Sequence, residues 1–132
     1  MTKTKNKYFN PNPLKKETGD CVVRAIIRAT GKEWDEVYRE LFEIGFELKV
    51  MPNSDECWKE YLIRAGFIYH KIPVKRGSKR PTVDSFARQH KTGVFVLRVA
   101  NHIVTCDNGY YYDTWDSGEC SLYGYWEKPE QN

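Results

Sequence analysis

The chain of 132 residues has no apolar stretch near the roughly 18 residues that a membrane-crossing helix needs. That sets aside a helical membrane protein. Charge of one sign is not in excess: 21 basic residues face 18 acidic ones, for a net charge of +3. So mild a balance does not by itself point to nucleic acid. The four cysteines, Cys21, Cys57, Cys106 and Cys120, include no C-x-x-C pair. This argues against a zinc ribbon and against a thioredoxin-type redox site. The opening MTKTKNKYFNPNP is basic but lacks the apolar middle of a secretion signal. Free thiols are therefore expected rather than a disulfide framework, and the expected location is cytoplasmic. There is also no internal repeat and no low-complexity tract, so neither a solenoid nor a linker-like chain is indicated.

What the sequence does contain suits a single domain over residues 1–132. Apolar residues make up 40% and aromatics 14%, enough to build a core. Residues 1–17 are polar, carry Pro11 and Pro13, and read as an extended arm. A first helix is expected from Asp20 or Cys21 to just before Gly31, with Val22, Ala25, Ile26 and Ala29 on its buried face and Thr18 or Asp20 as its cap. A second covers about 34–44, with Val37, Tyr38, Leu41 and Phe42 turned inward. A third follows Asn53 or Ser54 and presents Trp58, Tyr61, Leu62 and Ala65 to the core. FIYHKIPV reads as a strand, KRGSKRP as a basic loop and TVDSFARQH as a short helix capped by Thr82. VFVLRVA, HIVTCD, YYYDTW and SLYGYWE then read as strands. Helices first and strands afterwards predict an α+β fold, with N-terminal helices packed on a C-terminal antiparallel β-sheet.

HIVTCDNGYYYDTW carries Asp-Asn-Gly between two β-prone runs, a strong hairpin signal. With Asn108-Gly109 as the turn, Asp107 faces Tyr110 and Val104 faces Asp113. Alternate residues share a sheet face, so His102, Val104, Cys106, Tyr111, Asp113 and Trp115 lie together. The imidazole and the carboxylate then have β-carbons about 5–8 Å apart, close enough for a hydrogen bond. Such an Asp fixes the imidazole tautomer and aims the other ring nitrogen outward. Asp116 has the wrong parity and is the second choice. Cys106, about 13 Å along the same strand, is too far from His102 to serve it.

Cys21 has the one activating context among the thiols. A helix N-terminus offers unpaired N–H groups and about half a positive charge. These favour a thiolate and can also receive an oxyanion. Cys57, beside Trp58, reads as a buried structural thiol, and Cys120 has no histidine or helix start near it.

Gly19-Asp20-Cys21 before an apolar helix, His102 on a later strand, and Asp113-Thr114-Trp115 after it together resemble the papain-like cysteine peptidase superfamily. The order Cys, His, Asp matches, and Asp113-x-Trp115 resembles the Asn-x-Trp of papain-like enzymes, in which the indole covers the His–Asn contact. Asp in the third place resembles the transglutaminase-like and bacteriocin-processing branches. The family places a Gln six residues before the cysteine; that position is Lys15 here. The amide of Asn12, or failing it Asn10, is the expected substitute in the oxyanion hole. The resemblance implies a papain-like fold with a cleft between its halves. It implies cleavage of a peptide or isopeptide bond by Cys21, His102 and Asp113 through a thioester, with no cofactor and a peptide or protein as partner. Two alternatives remain open: a catalytically inactive papain-like binding module, to which Lys15 points, and transamidase or deamidase chemistry on the same triad. The basic segments read as solvated loops, which argues against a nucleic-acid partner. A metal site from His102, Cys106 and His90 or His70 fits no known ligand spacing.

Overall fold

The computed structural model of the chain describes residues 3–130 and begins with a strand inside the expected arm. Residues 1 and 2 of that arm lie outside the described residues. Strand β1 (Asn6–Tyr8) pairs in parallel with a strand near the C-terminus, β5 (Tyr110–Asp113). The ladder continues through Phe9, whose N–H donates to the Asp113 carbonyl at 3.0 Å. The arm thereby ties down the strand that carries Asp113.

Helix α1 (Cys21–Thr30) ends where Gly31 adopts a left-handed φ of 78° and donates its N–H to the Ile27 carbonyl. Helix α2 (Trp34–Leu48) runs past the expected end. Gly45, inside the helix, serves packing: a Cβ there would collide with the Val50 carbonyl as the chain folds back under the helix. Only a narrow side of α2 is buried. Val37 and Leu41 are inside, whereas Tyr38 and Phe42, expected to face inward, are exposed. Helix α3 (Asp55–Arg64) is capped by the Ser54 side chain, which accepts from the Cys57 N–H; Ala65, also expected inside, lies exposed at its end. Strand β2 (Ile68–Lys71) leads through the basic loop to α4 (Val83–Gln89), where Thr82 and Ser85 form a reciprocal capping box.

Strands β3 (Val94–Val99), β4 (His102–Asp107), β5 and β6 (Gly124–Glu127) complete a six-stranded sheet of order β1-β5-β4-β3-β6-β2. The fold is α+β. The sheet, expected to be antiparallel throughout, is mixed, because β1 joins its edge in parallel. Nor do all helices share a face. The three N-terminal helices cover one face over Val96, Ile103 and Trp126, while α4 covers the other over Phe95, Leu97, Val104, Cys106 and Tyr111. Among the described residues no helix is long and apolar enough to cross a membrane.

Candidate active site

The Asn108-Gly109 turn has φ values of 50° and 87°, the left-handed pair that suits the twist of a two-residue hairpin. It sets Asp107 opposite Tyr110, Cys106 opposite Tyr111 and Thr105 opposite Tyr112. His102 and Asp113 consequently share one face, and His102 Nε2 donates to Asp113 Oδ2 at 2.7 Å. That bond leaves Nδ1 for Cys21. The indole of Trp115 lies over the imidazole with ring centres 4.9 Å apart, although the indole itself is half exposed.

Cys21 is the first residue of α1 and His102 the first of β4. The helix lies against the strand, and Thr105 Oγ1 donates to the Ala25 carbonyl at 2.6 Å. This packing sets the thiol at the strand end, where it interacts with the His102 imidazole and with the Ile103 backbone N–H. Cys21 and His102 both line a cavity of about 220 Å³, whose polar lining also includes Asn53, Asp55, Arg98 and Asn101.

The electrostatics separate Cys21 from the other thiols. Burial alone pushes its thiol up. His102, the Ile103 N–H and the Arg24 charge overcome that, so it lies below the ordinary value. Burial raises the other three, Cys106 to about 12. All four cysteines are free. His102 shows the reciprocal effect. Burial pulls it down, but Asp113 and the thiolate raise it to about 9. The Asp113 carboxyl, opposed by burial, is held low by His102, Ser117 and Arg24. These shifts favour a thiolate–imidazolium pair.

Asn12 is buried in the arm, where its Oδ1 accepts the Leu14 N–H at 2.9 Å; it lies outside the lining of the Cys21 cavity. Asn10 uses its amide on the Lys16 carbonyl. Lys15 is exposed in the same turn. Asp116 bonds Tyr111 and the Gly118 N–H. Two residues escaped the sequence reading. Ser117, fully buried, donates to Asp113 Oδ2 at 2.8 Å. Arg24, also buried, donates to Asp113 Oδ1 and Asp20 Oδ1 at 3.0 Å each. The i,i+4 spacing of Asp20 and Arg24 was the available signal for the second. Asp20 is the N-cap of α1, yet its side chain makes no capping bond. Its other oxygen accepts the Trp34 indole N–H instead.

The chain matches no protein-family model, no curated protein and no solved structure.

Proposed function

We propose that this protein is a papain-like cysteine hydrolase that cleaves a peptide or isopeptide bond with Cys21, His102 and Asp113. The observation that carries the reading is geometric: Cys21 opens α1 at a cavity it shares with His102, and His102 is bonded at 2.7 Å to the buried Asp113; the arrangement polarises the pair, holding the thiol low and raising the imidazole. A structural cysteine beside a structural histidine has no need of that polarisation.

In this reading the Cys21 thiolate attacks the carbonyl carbon, and the carbonyl π electrons move to oxygen. The first-turn N–H groups of α1, which no side chain caps, receive the oxyanion. As the tetrahedral adduct collapses, the C–N bond breaks and the His102 imidazolium gives its proton to the leaving amine. A thioester on Cys21 remains. Neutral His102 then takes a proton from water, the hydroxide adds to the thioester, and the acid leaves as Cys21 regains its thiolate and His102 its proton. Asp113 keeps the imidazole oriented, and Trp115 shields the His–Asp contact. An amine in place of water gives transamidation on the same residues.

A peptide substrate is supported by a second cavity of about 320 Å³, lined in part by Trp34, Tyr38, Leu41 and Met51. It shares Val22 and Asn53 with the cavity that holds the thiol, so an apolar side chain could rest there beside a bound backbone. The deciding experiment is labelling with an electrophilic amide-mimic probe, followed by peptide mapping. Modification of Cys21 before the other three thiols, lost in Cys21→Ala, is the expected result. Even labelling of all exposed thiols would leave the inactive-module alternative.

A further inference from the structure

Arg24 lies one turn beyond Cys21 on α1, on the same side of the helix. It is only 5% exposed, and the residues around it on α1 are buried apolar ones. Packing at such a position does not require an arginine; a buried ion pair is often no more stable than a well-packed apolar set. The guanidinium instead spans two elements. One arm meets Asp20 at the start of the thiol-bearing helix, and the other meets Asp113 at the end of β5.

We propose that Arg24, held by Asp20, is a positioning residue that clamps α1 to β5 and so fixes the register between Cys21 and the His102–Asp113 pair. The inference rests on the triad reading above.

The geometry divides the Asp113 carboxylate cleanly. Oδ1 accepts from Arg24 and from the Thr114 N–H; Oδ2 accepts from His102 and Ser117. With both oxygens engaged, the carboxylate cannot rotate away from the imidazole. Asp20 serves the same arrangement. Its oxygens go to Arg24 and the Trp34 indole, so the N–H groups beside the thiol keep no side-chain partner. The clamp also brings a fixed positive charge near the sulfur, which favours the thiolate. The other charged groups around the site are His102 itself and the Asp55–Arg98 pair that lines the same cavity; Asp116 and Glu119 lie toward Cys120.

The test follows alkylation of Cys21 by iodoacetamide from pH 5 to 9, read by peptide mass. It uses the full chain, Arg24→Met, Arg24→Lys, and the double variant Asp20→Asn with Arg24→Met. The double variant leaves no lone carboxylate at Asp20 and guards against simple misfolding. The expected result is a loss of about tenfold in alkylation rate at pH 6.5 for Arg24→Met and for the double variant. Arg24→Lys should recover part of it, because the charge returns without the fork. A merely structural arginine would lower the melting temperature and leave the pH profile in place. That outcome in the folded double variant overturns the clamp while leaving the triad intact. A wild-type Cys21 that titrates like an ordinary thiol, near 8.5, overturns the triad and the clamp with it.

Discussion

Asp113→Asn separates charge from shape at the centre of the site. The amide is nearly isosteric and can still accept from His102, but the negative charge is gone. His102 stands at about 9 because Asp113 and the Cys21 thiolate outweigh the effect of burial. Without Asp113 the imidazole should fall toward 6.5, its ordinary value, or lower. At pH 8 the wild-type ring is protonated about nine times in ten, and the variant ring about once in thirty. A step in which the imidazolium protonates the leaving amine should therefore slow by about thirtyfold at pH 8. The descending limb of the rate profile should move from near 9 toward 6.5. Stability should follow. A pKa raised on folding contributes fully below the unfolded value and is lost as pH rises through the folded one. Here that window runs from 6.5 to about 9, and the side chain is only 10% exposed, so the contribution is on the order of 3 kcal/mol. The lowered Asp113 carboxyl acts at the other end: its contribution is present above 3.8 and is lost on acidification. The gap in melting temperature between wild type and Asp113→Asn should thus be widest between about pH 4 and 6.5 and narrow on both sides, at high pH to the remainder set by the buried Arg24 and Ser117 partners. NMR titration of the His102 ring, run beside thermal melts, reads both effects. A wild-type ring that titrates near 6.5, or a variant ring that stays near 9, would refute the reasoning.

Thr105→Val removes the buried hydroxyl that joins β4 to the Ala25 carbonyl. Urea unfolding should show a loss of about 1–2 kcal/mol with an unchanged slope. Gly118→Ala puts a methyl group against the Tyr111 hydroxyl, one residue from Ser117. It should cost roughly 1–3 kcal/mol in urea unfolding. Tyr38→Ala opens the apolar cavity. A peptide library should then show selectivity for apolar side chains weakened by about tenfold in kcat/KM, with cleavage of small-residue peptides retained.

The His102–Asp113 pair was legible because sheet parity is a period-2 property and Asn-Gly fixes the turn. The start of α1 was legible because its apolar spacing begins at Cys21 and Gly31 closes it. The amphipathic reading failed on α2, where Tyr38 and Phe42 fit the helical stripe but project beyond the narrow contact made by Val37 and Leu41. Strand β1 was invisible for a different reason. NKY has no strong pattern of its own, and it becomes a strand by pairing with β5 across the length of the chain. Asn12 was named for the oxyanion site as an amide carried by the arm. The turn in which its oxygen accepts from Leu14 is local, and its place outside the lining of the Cys21 cavity follows from how the arm packs, which the sequence does not encode. Arg24 was hidden by its own helix: among Val23, Ala25 and Ile26 it looks like the polar face, and only the position of β5 shows what it reaches.

The site also bears on the choice between an enzyme and a binding module that has lost its chemistry. Its construction costs the fold stability in identifiable places. An N-cap side chain diverted from capping forgoes about 1 kcal/mol, and Asp20 is so diverted. A buried Asp20–Arg24–Asp113 triad is a set that apolar side chains often match or better. Ser117 and Asp113 are both fully buried polar side chains, and Ser117 spends its hydroxyl proton on the carboxylate that holds His102. Affinity for a peptide requires none of this, because a groove binds through area and backbone hydrogen bonds whatever the state of a nearby thiol. A reactive sulfur requires all of it: open N–H groups at the helix start, a raised imidazole and a carboxylate that cannot turn. Lys15, where the resembled family has Gln, weighs less on the other side. In the proposed reaction it removes one side-chain donor from the oxyanion site, while the uncapped first turn of α1 would supply backbone donors there.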